Sequence, residues 1–102
     1  MRIAVIGDYE SPGYKDLLQL VKIIFPEEDV IDLSRHQSGE WKKRSIARYL
    51  DIESAHRVMI GNDWSDHFDT KSDITNAQKL SKEIFIEFNG RFLPFPQNAV
   101  RI

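Results

Sequence analysis

Arg2-Ile3-Ala4-Val5-Ile6-Gly7 is a short apolar run that stops at a glycine, and Asp8-Tyr9-Glu10-Ser11-Pro12-Gly13 follows it. A run apolar at consecutive positions, with no alternation, reads as a strand covered on both faces of a parallel sheet. Ser11 before Pro12 reads as a helix start, an N-cap followed by proline at the first helical position. Tyr14, Leu17, Leu18, Val21, Ile24 and Phe25 then recur at helical spacing along one face, and Pro26 stops the helix.

The strand–helix pattern repeats along the chain. Val30, Ile31 and Leu33, with Asp32 among them, predict a second strand. Residues 34–39 read as a polar loop in which Ser38 is a candidate cap. The spacing then predicts a helix over roughly residues 40–55, with Trp41, Ile46, Tyr49, Leu50 and Ile52 as its apolar side. Residues 57–60, again followed by a glycine (Gly61), predict a third strand. A long polar stretch, residues 62–72, precedes a third helix capped by Ser72 or Asp73, with Ile74, Ala77 and Leu80 or Ser81 facing inward. Residues 83–88 predict a fourth strand. Asn89-Gly90 suits a type I′ turn, so residues 91–95 should return antiparallel as an edge strand, where Pro94 is tolerated. The tail, residues 96–102, is expected to be extended.

This alternation predicts an α/β three-layer sandwich of Rossmann-like form over a single domain, residues 1–102. Its mostly parallel sheet has the order 2-1-3-4-5, ending in a C-terminal antiparallel hairpin strand. Ligands of such sheets sit beyond the carboxyl ends of the strands, where the strand order reverses. Here that point lies between the first and third strands, which singles out the loops 7–13 and 61–73.

Composition limits the chemistry. Fourteen Lys and Arg against sixteen Asp and Glu give a net charge of -2, without the basic excess of a nucleic-acid-binding domain. No apolar run approaches the length of a membrane span, and residues 3–6 are too short for a signal-peptide core, so a cytoplasmic protein with no membrane partner is expected. The absence of cysteine excludes disulfides, thiolate metal sites and a thiol nucleophile.

The first loop matches neither the dinucleotide-binding nor the P-loop pattern. Asp8 and Glu10 beside a helix start repel a polyphosphate, so the loop favours a neutral, hydroxyl-rich ligand, with Asp8 on sugar hydroxyls and Tyr9 stacked on a base. The simpler alternative is that these acids complement the helix dipole. In the second loop Trp64 and Phe68 either wall a ligand or fold back over the sheet edge. Asp63, Asp66, His67 and Asp69 fit neither an EF-hand nor a metalloprotease spacing, so no metal and no cofactor are expected. Asp73 is either a helix cap or a carboxylate nucleophile at the sheet's carboxyl edge. His36 is expected to be solvated and His56, at the opposite edge, structural.

Ile3-Ala4-Val5-Ile6-Gly7-Asp8-Tyr9, the run Ile52-x-x-Ala55-His56-Arg57-Val58-Met59-Ile60, Trp64-Ser65, and Asp73-x-x-x-Ala77-x-x-Leu80-x-Lys82-x-Ile84 together resemble nucleoside 2-deoxyribosyltransferase-like proteins. The resemblance spans most of residues 2–86. It implies a nucleoside or nucleotide ligand held by Gly7, Asp8, Tyr9, Gly61, Asn62, Asp63, Trp64 and Ser65. It also implies that Asp73 stands where the family's nucleophilic glutamate attacks C1′, as in a retaining glycosidase. The chain departs from the family at that carboxylate, one methylene shorter; at His56-Arg57, where the family has an aspartate; and at Thr70-Lys71-Ser72, where it has glycines. These departures shift the expectation from turnover to binding, as a sensor or sequestering protein. The alternatives are an N-glycosidase or deoxyribosyltransferase acting through Asp73, and a protein-interaction domain with a degenerate site. Leu20 and Ile23, off the main apolar face of the first helix, and the small Phe92–Phe95 strand suggest a homodimer or higher oligomer.

Overall fold

Ile3, Ala4, Val5 and Ile6 are completely buried, so the first strand is the middle of the molecule. In the computed structural model, which describes residues 1–36 and 39–96, the chain runs β1 (Arg2–Ile6), α1 (Pro12–Ile24), β2 (Asp29–Asp32), α2 (Trp41–Ser54), β3 (Arg57–Ile60), α3 (Phe68–Lys79), β4 (Glu83–Phe88) and β5 (Arg91–Pro94). Short 3₁₀ turns cover Leu33–His36 and Trp64–Asp66. The sheet order is β2-β1-β3-β4-β5, as expected. β1 to β4 are parallel and β5 returns antiparallel along β4. The step from β1 to β2 runs opposite to the later steps, so right-handed crossovers put α1 on one face and α2 and α3 on the other.

The start of α1 follows its sequence. The Ser11 hydroxyl accepts from the Gly13 N–H at 3.1 Å, and Pro12 opens the helix. Tyr14, Leu17, Leu18 and Val21 are buried, but the predicted stripe does not continue, because Ile24 is 42% exposed. Phe25 leaves the helix and packs on Phe92 of β5, ring centres 6.3 Å apart.

β2 ends one residue earlier than its apolar pattern suggests. The Asp32 carboxylate accepts from the Ser34 N–H at 2.9 Å, which turns the chain into a 3₁₀ turn and buries Leu33 there. Tyr14 Oη lies 2.8 Å from Asp32 Oδ1 and 3.1 Å from the Val5 carbonyl. Burial and then the Asp32 carboxylate push the Tyr14 phenol well above its ordinary range. Burial also acts to raise Asp32, but the hydrogen bonds from Ser34 and Tyr14 outweigh it and hold that carboxyl below its usual value.

α2 and α3 both correct the sequence reading. On α2 the expected apolar side is inward only in part: Ile52 is buried and Tyr49 half-buried as expected, but Trp41, Ile46 and Leu50 are exposed and Arg48 is buried in their place. The N-cap is Glu40, without a side-chain capping bond, and Ser38 lies outside the described residues. α3 begins at Phe68 inside the stretch read as a long loop, and Thr70, Asp73, Ile74 and Ala77 form its buried stripe. Two polar residues in that stripe hid the helical period.

Asn89 and Gly90 have φ of 51° and 79°, and the pairing of Phe88 with Arg91 closes the expected hairpin. The Gly90 N–H donates to Glu87 Oε1 at 2.9 Å. His56, as expected, is structural: its N–H donates to the Arg2 carbonyl and its Nδ1 accepts the Arg2 N–H. Of the predicted extended tail, residues 97–102 lie outside the described residues. No described helix is long and apolar enough to cross a membrane. A side chain at Gly90 must adopt the left-handed conformation, so Gly90→Ala is expected to lower stability by about 1 kcal/mol, read as a reduced urea midpoint at unchanged slope.

Candidate functional site

Asp73 sits in the second turn of α3, not at its start, and it caps nothing. It is 2% exposed and meets Arg48, which is 7% exposed and projects from α2. Arg48 Nε donates to Asp73 Oδ2 at 3.0 Å and lies 3.2 Å from Oδ1. Tyr9 Oη donates to the same Oδ2 at 2.7 Å. The Tyr9 ring stands edge-on to Tyr14, centres 4.9 Å apart, with the Arg48 guanidinium 6.0 Å from its own centre. Burial raises the Asp73 carboxyl above its ordinary pKa; attraction to Arg48 and the hydrogen bonds from Tyr9 and Arg48 reduce that rise without cancelling it. Burial, then the charge and hydrogen bond of Asp73, push the Tyr9 phenol well above its usual value. Tyr9, expected to stack on a base, is therefore spent on the interior.

Two cavities open at the carboxyl edge of the sheet, and Asp8 borders both. The larger, about 280 Å³, lies at the order reversal between β1 and β3 on the α1 side. Gly7 and Asp8 approach from the loop after β1, and Gly61, Asn62 and Asp63 from the loop after β3. Tyr14, Leu17 and Leu20 of α1 supply apolar lining, and Asp16 and Glu87 add carboxylates. The smaller cavity, about 110 Å³, lies over the buried cluster on the α2 and α3 side. It is bordered by Tyr9, Glu10, His36, Arg44, Arg48, His67 and Asp69.

Glycine matters at Gly7 in the larger cavity. A Cβ there would stand 3.0 Å from the ring of Tyr14, which is buried and must give way. A Cβ on Gly61 would meet Asp63 Oδ1 at 2.8 Å, the end of an exposed side chain that can swing aside.

Of the residues singled out by sequence, Gly7, Asp8, Gly61, Asn62 and Asp63 come together around the larger cavity. Trp64 does not join them; it folds back over the sheet edge and packs edge-to-face on Phe95, centres 5.1 Å apart. Ser65 is exposed on the same turn and borders neither cavity. Phe68 is 66% exposed. His36, expected to be solvated, pairs with Asp51 at 2.7 Å. Among the described residues no group of His, Asp and Glu side chains is arranged to hold a metal ion.

Sequence reasoning missed Asp16, Leu20, Glu87 and Arg48. A signal existed for three of them. Gly13, Asp16, Leu17 and Leu20 share one face at helical spacing, and Arg48 shares a face with Ile52 and Ala55 at i, i+4 and i+7. Glu87 carries no such mark, because only the pairing of β4 beside β3 brings it to the cavity.

Comparison of the chain with protein-family models, curated proteins and solved structures finds no match to any of them. Removing one member of the buried ion pair strands the other, so Arg48→Met is expected to cost roughly 3–5 kcal/mol, and Arg48→Met with Asp73→Leu much less. Asp73 binds its proton more tightly folded than unfolded. The Arg48→Met single variant should therefore recover stability as pH falls from about 7 to about 5, because the folded state takes up the extra proton. Chemical denaturation of the three proteins at both pH values checks this.

Proposed function

We propose that this chain binds a nucleoside-class ligand in the larger cavity and does not turn it over, acting as a sensing or sequestering protein. The observation that carries the reading is the convergence of Gly7, Asp8, Gly61, Asn62 and Asp63 around one cavity where the strand order reverses. At about 280 Å³ the cavity falls just under the usual range of about 300–1,000 Å³ for small-molecule sites. That suits a nucleoside better than a dinucleotide. The resemblance of the Gly7-Asp8-Tyr9 segment to nucleoside 2-deoxyribosyltransferase-like proteins supports the same ligand class.

Binding is favoured over glycosyl transfer because of where Asp73 is. A carboxylate that attacks C1′ needs a free oxygen with an open approach. Oδ2 takes bonds from both Tyr9 and Arg48, Oδ1 lies 3.2 Å from Arg48, and the side chain borders neither cavity.

A ligand that binds only the folded protein raises its melting temperature, by about 2.7 kcal/mol of stabilisation at a concentration of 100 Kd. Members of a nucleoside panel are expected to do so, and chromatography of the same mixtures should find no released base. Leu20→Trp, which fills the cavity from a partly exposed helix position, should abolish the shift while leaving the unliganded melting temperature nearly unchanged. Rapid base release by the wild type would restore the glycosidase reading.

Self-association belongs to the same proposal. α2 presents Trp41, Ile46 and Leu50 to solvent, at 63%, 60% and 54% exposure, where a second copy would cover them. Light scattering is expected to give at least a dimer at high micromolar concentration, and Leu50→Asp a monomer.

A further inference from the structure

The larger cavity has one electrostatic property that the proposed binding reading does not use. Four carboxylates border it, each from a different element: Asp8 after β1, Asp16 on α1, Asp63 after β3 and Glu87 on β4. No lysine or arginine borders it. Among the described residues none of the four is ion-paired to a lysine or arginine. Asp8 accepts the Glu10 N–H at 3.3 Å and stands 4.0 Å from His67. Glu87 accepts one backbone N–H, from Gly90. Proteins ordinarily intersperse both signs at their surface. A concave, partly apolar site ringed by one sign focuses its field on whatever enters.

The neighbouring cavity does not relieve this field. Arg48 is matched there by Asp73 at 3.0 Å, and Glu10 and Asp69 stand beside Arg44 and Arg48 in its border. A metal ion is a poor answer as well, since no convergent set of three acidic or imidazole groups exists among the described residues. The carboxylates are spread around an apolar wall of Tyr14, Leu17 and Leu20. That arrangement matches an organic molecule with an apolar or aromatic body and a protonated amine on its periphery.

We infer that the cavity discriminates among nucleoside-class ligands by charge, preferring one that carries a protonated amine and rejecting its phosphorylated counterpart. The inference rests on the binding reading above and adds to it the chemical class of the ligand. Asp16 and Asp63 are the residues that set the preference. Both are exposed, and neither belongs to the buried Tyr9–Asp73–Arg48 cluster.

The test uses three probes of one shape and different charge: 5′-amino-5′-deoxyadenosine, adenosine and adenosine 5′-monophosphate, with the uridine series in parallel. Competition binding and thermal shift are measured at low and at physiological salt. The expected order is amine tightest, neutral nucleoside next and monophosphate weakest, each step about tenfold at low salt and compressed by added salt. In Asp16→Asn and Asp63→Asn the steps should shrink, with the neutral nucleoside least affected. A monophosphate that binds as tightly as adenosine, or charge steps that stay undiminished in both variants, overturns the inference while leaving nucleoside binding standing. Failure of every probe in both series overturns the binding reading and the inference with it.

Discussion

Arg48 and Asp73 bring opposite charges together where α2 and α3 meet over the sheet, a place that apolar side chains fill in most α/β proteins. Taking two charges out of water is costly, and the pair persists because its geometry is close and Tyr9 adds a further bond. The three residues come from a helix, a second helix and the loop after β1. A single interaction therefore ties together the elements on one face of the sheet and the loop that borders both cavities. With Tyr9 bound to Asp73, the neighbouring Asp8 is left at the boundary between the cavities.

The same pair accounts for the orientation of α2. A helix with an arginine buried opposite an aspartate must turn that stripe inward, and Ile52 and Ala55 follow at helical spacing. Trp41, Ile46 and Leu50 are then carried to the outside, although they are the more apolar residues. The burial of one polar partner thus overrides an amphipathic preference worth several exposed side chains. It leaves an apolar surface on α2 that the sheet does not use.

The carboxyl edge of the sheet carries a charge division as well. On the α1 side the cavity is bordered by carboxylates alone among charged groups, and on the other side arginines, histidines and carboxylates are mixed. Backbone topology creates the crevice, since the chain leaves β1 and β3 in opposite directions. Side chains then give its two halves different chemistry. The nucleoside-class reading draws on the first half, and the buried cluster underlies the second.

Much of the fold was legible in the chain itself, because its signals are local. The continuous apolar run at residues 3–6, Ser11-Pro12 and Asn89-Gly90 each dictate backbone geometry within a few residues, and strand–helix alternation with right-handed crossovers does the rest. Five residues of the larger cavity were legible for the same reason, since topology alone sends the ends of β1 and β3 to one place. The start of α3, the inward face of α2 and the role of Asp73 were decided only in three dimensions. Asp73 and Arg48 read as polar and hence exposed, and their burial goes with partners more than twenty positions away in the chain: Arg48 for Asp73, and Asp73 for Tyr9. A hydrogen bond or ion pair between distant residues leaves no periodic trace, so only the folded chain could turn a candidate cap or nucleophile into a buried tie between elements.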